Sequence, residues 1–175
     1  MSVSPLSNLE FETFFTQIRS CILFSIDKME ESKEFLRFQS ALALQCFTNE
    51  YIYYQTEDEN NAIQELELNI KKALSKGKTP NQNFILCVSA YKALYECEWC
   101  DLIKVTSGIE EVYERQVLEP KKEILLIPKI RIFKNITNEV SSLVRKQYEE
   151  NPYPRWVNTI KKLNPVPIAV MTKEA

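Results

Sequence analysis

Apolar residues recur at three- and four-residue steps through most of this chain, and the runs open and stop on residues that favour helix ends. Ser7 with Glu10 has capping-box spacing. The helix it opens would set Phe11, Phe14, Ile18, Ile22 and Met29 along one side, with Phe15, Cys21 and Ile26 widening that face. A second helix over about 32–54 would turn Phe35, Phe38, Leu42, Cys46 and Phe47 to the same interior. Thr56 and Glu59 make another capping box. The helix behind it points Ile63, Leu66, Ile70 and Leu74 inward until Gly77 offers a left-handed stop, and Pro80 confirms the break. A fourth helix from about 81 to about 98 carries Phe84, Ile85, Val88, Tyr91, Leu94 and Tyr95. A third box, Ser107 with Glu110, starts a short helix to Leu118 that Pro120 should close, having no amide hydrogen to give. Residues 121–127 read as a helical turn or two, with 124–127 a weak strand candidate, and a last helix over about 137–150 presents Val140, Leu143, Val144 and Tyr148. After it, Asn151-Pro152-Tyr153-Pro154 is expected to be extended, because a residue before proline is pushed out of the helical region.

The pattern predicts an all-α chain: a helical bundle of about six helices over 1–150, an extended Pro/aromatic C-terminal arm over 151–163, and a flexible tail or truncated continuation over 164–175. No internal repeat of about 34 residues would make it a helical solenoid by itself. The length, 175 residues with 45% apolar, is enough to bury one ordinary core.

Composition then narrows the chemistry. The chain has two glycines, so glycine-rich phosphate loops are excluded, and it has no histidine, which removes the usual general base and every imidazole metal site. Five cysteines, at 21, 46, 87, 97 and 100, are odd in number and irregular in spacing, which suits reduced, buried thiols. No apolar stretch reaches the roughly 18–20 residues of a membrane span, and no basic-then-apolar leader opens the chain, so the expectation is a cytoplasmic protein with no membrane partner. A net charge of −2 hides an asymmetry: residues 1–70 hold 12 acids against 4 bases, and 71–175 hold 12 acids against 18 bases. The bases at 121, 122, 129, 131 and 134 lack interleaved stacking aromatics, which disfavours nucleic acid as a partner.

Three constellations remain. Cys97-Glu98-Trp99-Cys100 has dithiol or half-zinc spacing, but no strand-to-helix context and no regular second ligand pair accompany it, so packing at a helix end is the expected role. Glu57-Asp58-Glu59 sits at a helix start, where the dipole welcomes it, whereas Glu149-Glu150 sits at a helix end, where a base such as Arg155 should answer. The segment from Gln147 to Trp156 sets two tyrosines, a tryptophan and an arginine on a stiff backbone, either clamped to the core or free to bind.

That segment, Gln147-Tyr148-Glu149-Glu150-Asn151-Pro152-Tyr153-Pro154-Arg155-Trp156, resembles the stretch before the catalytic domain in bacterial proteins that join tetratricopeptide repeats to a class I S-adenosylmethionine-dependent methyltransferase. Ala43-Leu44-Gln45-Cys46-Phe47-Thr48-Asn49-Glu50-Tyr51 and Gln116-Val117-Leu118-Glu119-Pro120 resemble further stretches of that family in the same order, so the likeness spans about 35–160. It departs from the family in lacking the upstream repeats and the downstream strand and glycine-rich turn that hold the methyl donor.

The resemblance therefore implies a non-catalytic connector that packs on a methyltransferase domain, in cis or in trans, or recognises a protein substrate. No cofactor is expected in the chain; S-adenosylmethionine would enter only through a separate or following domain. Tyr148, Glu149, Tyr153, Arg155 and Trp156 would carry the contact, with Asn49, Glu50 and Tyr51 as secondary candidates whose other reading is a hydrogen-bonded joint between helices. The alternatives are a freestanding protein-interaction or oligomerisation domain, and a small enzyme using Glu50, Glu149, Tyr148 and Tyr153 as acid and base groups. Homo-oligomerisation stays open.

Overall fold

The computed structural model describes residues 9–129 and 139–150, and all regular structure among them is helical. Helix α1 is Leu9–Ser25, α2 is Lys33–Thr48, α3 is Glu57–Ser75 and α4 is Gln82–Ser89. Helix α5, Glu110–Tyr113, runs through a π-helical turn, Glu114–Leu118, into α6, Glu119–Leu126. Helix α7 is Glu139–Glu150. With the α5–α6 path counted once, six helices are described.

Local chemistry sets the ends. The Ser32 hydroxyl accepts from the Phe35 amide, and the Asn81 side chain accepts from the Asn83 amide, so α2 and α4 each start on a capped donor. The Thr56–Glu59 capping box is complete. At the other end of α3, Gly77 adopts φ 67°, its amide reaches Leu74 O at 2.9 Å and the Lys78 amide reaches Ala73 O at 3.0 Å, the paired bonds of a Schellman stop.

Helix α4 is the hub. Ile85, Leu86, Cys87 and Val88 are consecutive and all buried, so it has no solvent side in that stretch. Helix α2 packs along it, α3 and α1 cover one flank, and α5 closes against α2. Helix α2 is likewise buried continuously from Leu42 to Asn49. Consecutive burial of this kind removes the simple amphipathic stripe that periodicity looks for.

Several boundaries differ from the sequence expectation. The second helix stops at Thr48 rather than 54, because Glu50 and Tyr51 take left-handed φ of 54° and 55° and turn the chain. The fourth stops at Ser89 rather than near 98; Tyr91 and Leu94 are still buried, but from turns and a 3-10 segment, Leu94–Glu96. The Ser107–Glu110 box does not form: Ile109 precedes α5 and no side chain caps it. Pro120 does not close the helix. It lies in the first turn of α6, behind the π turn that shifts the hydrogen-bond register, where its missing N–H costs nothing. Residues 124–127 belong to the end of α6 and a 3-10 turn, not a strand.

The buried face of α1 is also rotated from the expected one. Phe15, Arg19, Ile22 and Leu23 point inward, with Ile26 just beyond the helix, whereas Phe11 and Phe14 are half-exposed and Cys21 is exposed. Met29 lies beyond the end of α1. The last helix starts at Glu139; its Leu143 and Val144 are exposed.

Candidate functional site

An arginine lies at the centre of the core. Arg19 is 1% exposed, held on α1 between Phe15 and Ile22. Its guanidinium donates to Tyr54 O at 2.9 Å, Tyr53 O at 3.4 Å and Ala90 O at 3.4 Å, and stands 4.1 Å from the Tyr91 ring centroid. Tyr53 O and Tyr54 O belong to the loop between α2 and α3, and Ala90 O to the C-cap of α4, where a helix-end oxygen has lost its intrahelical donor, so the cation joins both segments to α1. The Tyr91 hydroxyl passes the connection on, donating to Glu59 Oε1 at 2.7 Å.

Glu59 completes the relay. Its Oε2 accepts from the Thr56 amide at 2.8 Å and the Thr56 hydroxyl at 3.0 Å. Burial by itself raises its carboxyl, but the Thr56 amide, the Tyr91 and Thr56 hydroxyls and the Arg19 charge outweigh it and hold the group below the usual carboxylate range. Burial raises the Tyr91 hydroxyl, and its bond to Glu59 adds to that. Burial also pushes the Cys46 and Cys87 thiols up to about 12 despite the opposing Arg19 charge. The cavity bounded by Arg19, Gln39, Cys87 and Tyr91 is about 10 Å³, room for roughly one water centre and not for an organic substrate. This cluster is a structural keystone.

The larger concavity lies on the other face of α2. A groove of about 930 Å³ runs beside it, lined by Lys33, Leu36, Arg37, Ser40, Leu44 and, across from them, Glu111. Its volume is in the range of ligand sites. The wall is built by close approach. The Ser40 hydroxyl donates to Gly108 O at 3.0 Å, and a Cβ on Gly108 would collide with the Gln82 side-chain oxygen and meet Leu36 Cδ1 at 3.1 Å, so a larger residue there requires those side chains to shift. The Gln82 amide is itself fixed, accepting from the Thr106 hydroxyl at 2.5 Å and donating to Glu31 at 2.6 Å. Lys33 and Arg37, one turn apart, are exposed and enter no ion pair among the described residues.

Of the residues singled out in the sequence, Asn49, Glu50 and Tyr51 form the turn after α2. Asn49 is buried, and the Tyr51 ring stands edge-on to Phe47 while its hydroxyl donates to Ser89 O at 3.2 Å, tying the ends of α2 and α4. Tyr148 and Glu149 lie on α7, with side chains outside the described residues, and Tyr153, Arg155 and Trp156 lie outside them altogether. Cys97 and Cys100 are free and buried; burial pushes the Cys97 thiol up to about 12, and raises that of Cys100. Among the described residues no group of three or more His, Cys, Asp or Glu could hold a metal ion.

Of the buried polar residues, Arg19, Gln39, Asn83 and Ser89 are not among those singled out in the sequence, and Gln116 enters there only within a resembled stretch. Arg19 shares the inward face of α1 with Phe15, Ile22 and Leu23, and Gln116 sits in the π turn, fully buried, donating to Ala43 O and Ser89 O and accepting from the Leu94 amide. A charge or amide on an apolar helix face was the available signal. Comparison with family models, with curated proteins and with solved structures finds no match to this chain.

Proposed function

We propose that this chain is a non-catalytic helical module of an S-adenosylmethionine-dependent methyltransferase system, a cytoplasmic protein that packs on the catalytic domain or recognises its protein substrate through the arm residues Tyr148, Glu149, Tyr153, Arg155 and Trp156. The decapeptide from Gln147 to Trp156 supports the family link, and the scarcity of glycine supports the non-catalytic role. The observation that carries the interaction role is the end of α6: Ile124, Leu125, Leu126 and Ile127 are consecutive and 52–70% exposed. Four adjacent aliphatic residues in water at a helix end mark a surface that meets something else.

Titration calorimetry of S-adenosylmethionine into the chain should give no heat; tight binding would overturn the reading. Trp156→Ala should keep the far-UV circular dichroism of the bundle and weaken association with a methyltransferase domain of the resembled family. Loss of helix content in that variant would instead place the ring as a clamp on the core. A second reading, a freestanding interaction or oligomerisation domain, is favoured by Phe11, Phe14 and Phe24, each about half-exposed on α1. Sedimentation equilibrium of the chain alone separates the two: self-association abolished by Phe14→Ser supports the second.

A further inference from the structure

We propose that Arg19 and Gln39 bind one interior water molecule, which accepts from Arg19 Nε and donates to Gln39 Oε1 and so joins α1 to α2 at the centre of the core. The proposal goes beyond the methyltransferase reading and does not depend on it.

The direct contacts around these two side chains leave one donor and one acceptor over. Arg19 spends its Nη atoms on the Tyr53, Tyr54 and Ala90 carbonyls, and its Nε has no hydrogen-bond partner among the described residues. Gln39, on α2, donates from Nε2 to Asn83 O at 3.3 Å, and its Oε1 has no partner there either. Asn83 O can only accept, so turning the Gln39 amide round would set two acceptors against each other. The oxygen therefore stays where it is. Both side chains are 98% or more buried and both line the same cavity. Unpaired polar atoms are rare in a protein interior, and a complementary pair on one cavity wall calls for something between them.

The cavity selects what that is. Its volume of about 10 Å³ admits about one water and no organic molecule. A site that offers a donor and an acceptor needs a ligand that can both accept and donate. An anion would suit Nε–H but meet the Gln39 oxygen; a metal cation would suit that oxygen but meet the guanidinium charge. Water suits both. Cys87, on the wall, and Cys46, beside the guanidinium, do not compete for the Nε–H, because burial pushes both thiols up to about 12 and a protonated sulfur accepts only weakly. Ile22, Leu42 and Leu86 close the wall with hydrocarbon, so exchange of the water with solvent waits on an opening of the core where α1, α2 and α4 meet.

The test is a crystal structure of the full chain at a resolution that shows ordered water. It should contain one isolated peak about 2.7–3.2 Å from both Arg19 Nε and Gln39 Oε1. A direct bond between those two atoms with no peak overturns the proposal, and so does an anomalous peak at that position after a bromide soak, which would make the site an anion site. In solution, oxygen-17 relaxation dispersion should count one fewer long-lived water in Gln39→Met, whose side chain keeps its length but cannot hold the water. An unchanged count in a variant that retains its circular dichroism overturns the proposal as well. The crystal uses the unaltered chain, so it decides the matter even where Gln39→Met fails to fold. Neither measurement involves a methyltransferase domain, so a failure here and a failure to bind one are separate results.

Discussion

Replacing Glu59 by glutamine removes one charge from the interior while keeping the shape of the side chain. In the folded chain Glu59 is 2% exposed, and its two oxygens take three donors, the Thr56 amide, the Thr56 hydroxyl and the Tyr91 hydroxyl. A glutamine must present its NH₂ to one side or the other, so at least one donor loses its acceptor. A hydrogen bond to a charged group contributes about 1.5–3 kcal/mol net, and a carboxylate at a helix N-terminus about 0.3–1 kcal/mol more. Glu59→Gln should therefore destabilise the fold by about 2–4 kcal/mol at neutral pH, read from urea unfolding followed by circular dichroism. Acid should shrink the difference. The folded-state carboxyl is held below its ordinary value, so its contribution is complete above the unfolded pKa of ~4.3 and is lost as pH falls through the folded one. The glutamine variant has no such proton to take up, and the two stabilities should converge below about pH 4. A variant within about 0.5 kcal/mol of the parent at neutral pH, or a gap that stays constant in acid, would refute the keystone role.

Arg19→Met should cost about 3–5 kcal/mol by the same unfolding assay, because it strands the Tyr53, Tyr54 and Ala90 carbonyls and leaves Glu59 without its cation. A thiol reagent at mildly alkaline pH should label exposed Cys21 within minutes and reach Cys46, Cys87 and Cys97, each pushed up to about 12 by burial, only on unfolding; Cys21→Ser should abolish the fast phase. Gly108→Ala should destabilise by about 1–2 kcal/mol through its clash with Gln82 and Leu36, seen as a lower melting temperature. Gly77→Ala, with open space around it, should cost about 1 kcal/mol from its positive φ alone.

Where a signal was local, the sequence carried it. The Thr56–Glu59 box and the Gly77 stop were legible because each depends on residues within a few positions of one another. The Ser107–Glu110 box had the same spacing and did not form, since the Gly108 loop is bound instead by Ser40 and crowded by Gln82. Helix α4 is shorter than the periodicity suggests because Tyr91 and Leu94 are buried at helical spacing while Tyr91 lies in a turn and Leu94 in a separate 3-10 segment. The groove was invisible: Lys33, Ser40 and Glu111 have no relation along the chain that marks them as neighbours.

The sequence by itself determined an all-helical fold with one local start, at Thr56, and one local stop, at Gly77, because helix formation and its caps are decided over one or two turns. Only the tertiary structure decided which face of α1 is inside, that Arg19, Tyr91 and Glu59 share one buried relay, and that α2 and the chain from Ser107 to Glu111 leave a groove between them. Those outcomes depend on pairing groups many residues apart, where a buried charge is tolerated only if distant backbone oxygens converge on it. Periodicity along one helix contains no record of that convergence.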